Sequence, residues 1–305
     1  MGRLIFIRSC QGLLTLLAVT VVVFLLSRMI GDPAVMFLSE QSTPAEYQQI
    51  RERLGLDKPL AVQYGIYFND IIRGDLGRSI FSNRPVIGLV VERLINSAKL
   101  AVASVLLGCL VGFPLGVIAA VKRRGFLDNL ARVIAGLGQA LPTFWVGLVL
   151  IQVFSVTLGV LPTCGMGDWR TYLMPAFCMS LLVMAGIIRL LRSSMLDALD
   201  SEYIKLARIK GVPEYRVIWE HALRNSLVSV VTFASLYFAM GVTIAVAIET
   251  VFAWPGLGRL AYESLSTRDF PVLQGVVFIG AAVLVVVNLA TDILYAYIDP
   301  RIRYD

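Results

Sequence analysis

Residues 200–225 read DSEYIKLARIKGVPEYRVIWEHALRN, and they lie between two uncharged apolar runs, 171–188 and 225–248. A plain linker between such runs carries no periodic apolar face. Here Tyr203, Leu206, Ala207 and Lys210 recur at helical spacing, Gly211 and Pro213 then break the helix, and a second helix begins. The surface mixes Lys205, Arg208 and Lys210 with Glu202, a pattern that suits a groove on another protein better than it suits lipid. The segment therefore predicts a helix-break-helix that projects from a membrane and offers itself to a partner.

The flanks set the solvent. The chain is 57% hydrophobic and 16% charged, against roughly 25% charged in a soluble domain. About 20 mostly apolar residues cross the hydrocarbon core as a helix. Uncharged runs of that order lie at 9–27, 100–121, 133–167, 171–188, 225–248 and 270–291. The third is too long for one span, and Gly159, Pro162, Gly165 and Gly167 mark its end as a loop. Six spans result, the first a retained anchor, because no small-residue cleavage site follows it. The fold class expected is all-α integral membrane: anchor 1–30, a small helical extracytoplasmic insertion 31–97, a five-span core 98–298 containing the loop 200–225, and a tail 299–305.

Lys and Arg orient the bundle, since positive segments resist translocation. With the N-terminus inside, the inner segments hold Arg3, Arg8, Lys122, Arg123, Arg124, Arg132, the cations from Arg189 to Arg224, Arg301 and Arg303; the two short outer loops hold only Arg170, Arg259 and Arg268. Both termini are thus expected on the inner, cytoplasmic side of the membrane. The net charge of +6 follows this asymmetry and does not point to nucleic acid. Cys10, Cys109, Cys164 and Cys178 show no paired spacing, so neither a disulfide framework nor a structural metal site is expected.

The outer insertion reads as folded. Thr43, Pro44 and Glu46 make a capping-box start and Gly55 a stop, which predicts a helix over 44–54. Leu60, Tyr64, Tyr67, Phe68, Ile71 and Ile72 form a second stripe, expected to lie on the outer ends of the spans as a lid or a docking surface for a soluble partner. In the second span Ser104, Gly108, Gly112, Gly116 and Ala120 share one face, either packing within the subunit or an interface between subunits, and Pro114 is expected to bend it. In the fifth, Ser235, Ala239, Thr243 and Ala247, with Thr232 nearby, suit a pathway wall or another helix contact. Glu249 and Asp292 are the acids nearest the membrane interior, functional candidates by that position although hydration at the interfaces also explains them. His221 alone reads as a hydrogen-bonding member of the inner loop rather than a metal ligand.

At Glu202-Tyr203, Ala207-Arg208, Lys210-Gly211 and His221-Ala222-Leu223-Arg224-Asn225 the sequence resembles the EAA loop of ABC importer permeases, in the form of the dipeptide, oligopeptide and nickel branch. Further stretches similar to that family are Gly31-Asp32-Pro33, Leu54 to Leu60, Gly74 to Ser79, Arg84-Pro85-Val86, Leu141 to Trp145, Phe252 to Gly258, Arg268 to Pro271 and Asp299-Pro300-Arg301. The chain departs from the family in having Ile30 before Gly31 and Ser229 after the loop where Pro is usual, and Ala98-Lys99-Leu100 at the start of the second span. Without Pro at 229 the fifth span is expected to start as a more regular helix.

The resemblance implies a type I importer permease fold and a division of labour. A second, homologous permease would complete the pathway, two cytoplasmic ATPases would bind ATP and Mg2+ and grip the EAA helices, and an extracytoplasmic solute-binding protein would deliver cargo. Coupling would rest on Glu202, Tyr203, Ala207, Arg208, Lys210, Gly211, His221, Arg224 and Asn225, and the pathway on Thr232, Ser235, Ala239, Thr243 and Glu249. Peptide-like cargo is the first expectation, nickel or a metal chelate, glutathione or an opine the others.

The chain has no G-x-x-x-x-G-K-[ST], so no P-loop chemistry resides on it, and the G-x-G-x-x-A of Gly256, Gly258 and Ala261 follows no strand. A secondary transporter would show repeated broken helices or buried charge relays. A membrane enzyme would need a converging nucleophile and base that this sequence lacks.

Overall fold

The computed structural model describes residues 2–30, 34, 43–53 and 55–298, and among them it is helical, with one isolated bridge, Arg78 to Pro85. Gly31-Asp32-Pro33, Leu54 and Asp299-Pro300-Arg301 lie outside the described residues. Four helices are long and apolar enough to cross a membrane, and two bent pairs bring the spans to six.

The first span is α1 (Gly2–Ile30). Outside it α2 (Pro44–Arg53) starts on the expected capping box: the Thr43 N–H donates to Glu46 Oε2 at 2.9 Å and the Glu46 N–H to Thr43 Oγ1 at 3.3 Å. Then α3 (Leu60–Ile72) lays Tyr64 and Tyr67 on Phe24 of α1, with ring centroids 5.5 and 5.7 Å apart. Leu60 and Ile72, expected in the same contact, stay exposed, since a helix crossing a span at one point can bury only one arc of its surface.

The second span, α4 (Val86–Val121), is longer than its uncharged run and crosses the domain boundary expected at 97. The cause is that Val86, Val90 and Leu94 prolong its apolar stripe against Leu257, Leu260 and Val276. Its small-residue face is resolved as packing inside the subunit. A Cβ on Gly108 would stand 2.7 Å from Val183, and Cβ atoms on Gly112 and Gly116 would stand 3.1 Å from Ile187 and Leu191. Both partner sets step by four residues, so α4 and α7 (Arg170–Leu199) run parallel with touching backbones.

Between them the third span departs from the one unbroken helix expected in the run 133–167 ahead of its loop. It is α5 (Phe126–Ala140) and α6 (Thr143–Leu150), the latter running into a π-helical turn Ile151–Thr157, and the two halves meet at 98°. Leu141 has ψ 127° and Pro142 follows it: proline lacks an N–H and pushes the preceding residue out of helical geometry.

The inner loop holds α8 (Glu202–Ile209) and α9 (Glu214–Arg216), then a π-helical turn Val217–Leu223 that leads into α10 (Arg224–Ile244). The regular start expected for the fifth span is therefore not found. The π turn lies just before its start, and the chain bends 43° between 214–227 and 229–242. Beyond α10 come α11 (Val246–Val251) and α12 (Leu257–Thr267), and α13 (Phe270–Ile298) returns as the sixth span. It lies antiparallel to α1, joined by Gln274 Nε2 to Ser27 Oγ at 2.6 Å near one end and by Arg8 to Asp292 at 3.1 Å near the other. That ion pair accounts for Asp292.

Candidate functional site

In the loop 200–225, α8 stops on Gly211. Its φ is +79°, the Val212 N–H donates to Ala207 O at 3.1 Å and the Gly211 N–H to Arg208 O at 3.0 Å, the paired bonds of a Schellman cap. Glycine takes this left-handed conformation without strain. Across the turn Arg208 grips Glu214 with both nitrogens, at 3.1 and 2.7 Å, and the guanidinium holds the Glu214 carboxyl below its ordinary range. Asn225 Nδ2 donates to Tyr203 Oη at 2.8 Å, and Ile204 is wholly buried beneath α8. Lys205 pairs with Glu202 at 2.7 Å, while the Lys210 and Arg224 side chains are exposed. His221 is half-buried on the π turn, and no cluster able to hold a metal occurs among the described residues.

The fixed hairpin presents Leu206, Ile209, Tyr215 and Trp219 outward, Ile209 being 81% exposed. None of these four was among the predicted coupling residues; their apolar character beside a helix stop was the available signal. An apolar patch held rigid and left uncovered on an otherwise charged loop marks an interaction surface.

The outer end of the fifth span is built in the opposite sense. Glu249 has no exposed surface. Its carboxylate accepts from Ser97 Oγ at 2.5 Å and from the Arg259 N–H at 2.9 Å, and the Gly258 N–H also donates to it. It thereby caps α12, whose N-terminal amides favour an anion. Ser97 Oγ in turn accepts from the Leu257 N–H at 2.7 Å. A Cβ on Gly256 would collide with that carboxylate. Trp254 is fully buried, donates through Nε1 to Asn96 O at 3.1 Å and meets Tyr172 edge to face. The stretch Phe252 to Gly258 is thus a turn folded around one acid, and Glu249, expected on the pathway, is enclosed by donors that fill it.

The small stripe of the fifth span divides. Ala239 is fully buried, so it lines no open wall. Ser235, whose hydroxyl donates to Val231 O at 2.9 Å, faces a groove between α4 and α13. Thr232 is half-buried, and the Thr243 side chain lies outside the described residues. A separate cavity of about 190 Å³ between α4, α7 and α10 is lined by Ser104, Met179, Tyr237 and Met240 among others, and by none of the predicted pathway residues.

Two further pairings escape a linear reading. Asp128 has no exposed side-chain surface and accepts two bonds from Arg192, Nε to Oδ1 at 2.7 Å and Nη2 to Oδ2 at 2.9 Å, plus the Arg124 N–H at 2.9 Å. This joins α5 to α7. On the outer face Ser79 Oγ donates to Asp269 Oδ2 at 2.6 Å, bringing two of the family-like stretches together.

The family described as binding-protein-dependent transport system inner membrane component matches residues 112–304, and the N-terminal family of the same systems matches residues 1–101. The chain is 40% identical over 301 residues to a glutathione transport system permease protein GsiC of Pectobacterium atrosepticum, with 98% of each chain covered. Against the protein of that name from Escherichia coli strain K12 the identity is 39% over 300 residues, again with 98% of each covered. Among solved structures, two inward-facing forms of the MetNI methionine ABC transporter superpose with TM-scores of 0.58 and 0.60 at 17% and 18% identity. They cover 70% and 69% of this chain and 97% and 96% of those chains, a likeness of fold.

Proposed function

The chain belongs to the binding-protein-dependent transport system inner membrane components, and from that premise we propose that it forms half of a translocation pathway for small peptide-like solutes, glutathione foremost. As a permease subunit of an ABC importer it works with a solute-binding protein and ATPases. The relatives that carry glutathione in their names support this cargo, since glutathione is itself a small peptide bearing free carboxylates. A second, homologous permease completes the pathway. Two ATPases hold ATP and Mg2+ in the cytoplasm, where both termini of this chain lie. The loop 200–225 seats on an ATPase through α8, and closure of the ATPases pushes α8 and α10 so that the pathway changes the side to which it opens.

The observation that carries this reading is the rigid hairpin around Gly211 with Leu206, Ile209, Tyr215 and Trp219 uncovered. The test is uptake of labelled glutathione and of short peptides by proteoliposomes holding both permeases and the ATPases, with the cognate binding protein supplied. ATP-dependent uptake that is lost when Gly211→Asp blocks the hairpin supports it. Uptake indifferent to that substitution contradicts the coupling role, and a binding protein that ignores both cargoes contradicts the substrate.

A further inference from the structure

The enclosed core helix α7 has three occupied sides. One meets the glycines of α4, a second meets α5 through Gly138 against Leu181 and through Asp128 to Arg192, and a third meets α10 where Phe233 covers Gly186. The arc left between α5 and α10 carries half-buried Leu182 and then, toward the cytoplasm, exposed Arg189 and Ser193. Arg189 stands roughly three turns, about 16 Å along the axis, before the Asp200 cap. It makes no ion pair among the described residues, whereas Arg192, less than a turn beyond it, is occupied by Asp128.

A lipid-facing surface looks different in this molecule. On α1 the exposed positions beyond its first turns are almost all apolar, Leu13, Leu14, Leu17, Val21, Val22, Leu25 and Leu26, with Thr15 the polar exception between them. The uncharged run of α7 ends at Ile188, so Arg189 stands at the inner mouth of the span, where a cation meets water or a partner group rather than hydrocarbon. The neighbouring helix agrees. Because α7 and α10 are antiparallel with Phe233 at Gly186, the next turn of α10 toward the cytoplasm brings Ser229 to the level of Arg189. The exposed strip of α10 runs from Met240 and Leu236 to Ser229 and Asn225, apolar and then polar. Leu182 and Met240 line one cavity, and the strips that continue from them toward Arg189 and Ser229 turn polar and cationic.

We propose that this surface lines the pathway and that Arg189 is a carboxylate-binding station on it, taking the free carboxylate of a peptide-class cargo on its way to the cytoplasm. The inference rests on the cargo reading above. A guanidinium offers a planar pair of donors that matches a carboxylate, and the hydroxyls of Ser193 and Ser229 suit the amide groups beside it. Exposure to water keeps the grip weak enough for release.

The experiment uses the full complex in proteoliposomes, with uptake of a carboxylate-bearing peptide and of glutathione measured per inserted complex beside ATP hydrolysis stimulated by the binding protein. Arg189→Gln is expected to lower uptake per ATP about tenfold, the size of one charge-assisted hydrogen bond, with ATP hydrolysis retained, and Arg189→Lys is expected to restore most of it. Unchanged uptake in Arg189→Gln overturns the station and makes Arg189 a membrane anchor. Equal loss of uptake and ATP hydrolysis overturns it in favour of a structural role. A wild-type complex that moves neither cargo fails earlier, on the cargo reading itself.

Discussion

The two ends of the fifth span differ in what completes them. At the outer end the Glu249 carboxylate, the Ser97 hydroxyl and the first amides of α12 satisfy one another, and the Trp254 indole donates to Asn96 O, with Glu249 and Trp254 fully buried. At the inner end the polar groups are also paired, Arg208 with Glu214 and Tyr203 with Asn225, but on the surface, beside four large apolar side chains with nothing over them. A buried acid without donors would be intolerable, so the outer end must finish itself during folding. An apolar patch on a rigid turn is tolerable until a partner arrives. The proposed function gives the outer end to architecture and the inner end to traffic with another protein.

Breaking the outer end should have the largest effect on stability. Glu249→Ala leaves the Ser97 hydroxyl and the α12 amides buried without an acceptor, a loss of about 3 kcal/mol or more, and is expected to lower the yield and melting temperature of detergent-solubilised protein. Asp128→Asn, which leaves Arg192 facing a neutral partner, should destabilise by about 3 kcal/mol, read as earlier thermal aggregation. Gly211→Asp forces a side chain into left-handed backbone at a cost of about 1 kcal/mol. Because nothing stands within 4 Å of a Cβ there, the protein should insert normally while ATP-dependent uptake is lost. The smallest effect belongs to Arg208→Ala, which removes a half-exposed ion pair worth under about 1 kcal/mol; it should leave melting unmoved and weaken ATPase binding only modestly, as measured by co-purification. An Arg208→Ala protein less stable than Glu249→Ala would erase the contrast.

Local chemistry was legible in the sequence. The capping box at Thr43, the stops at Gly55 and Gly211, the α3 stripe and four of the six apolar runs follow from neighbours within a turn or two. Pro142 could have announced the broken third span, but an uninterrupted apolar run masked it. The pairings of Glu249 with Ser97 and of Asp128 with Arg192 join residues far apart along the chain. No periodicity encodes them, and an acid in an apolar run signals only that some donor must meet it. The stripe of Ser235 and Ala239 does not by itself place a pathway, because small residues serve close helix contact and open walls equally well; Ala239 is buried while Ser235 faces a groove.

The most direct test places a single reactive cysteine at Ile209, with exposed Cys10 and Cys164 changed to serine, and follows its labelling by a membrane-impermeant maleimide in inside-out vesicles. With the permeases alone the site should label rapidly, and with the ATPases assembled it should be protected. Equal labelling in both preparations, or labelling only from the extracytoplasmic side, would contradict the assignment of this turn as the ATPase contact.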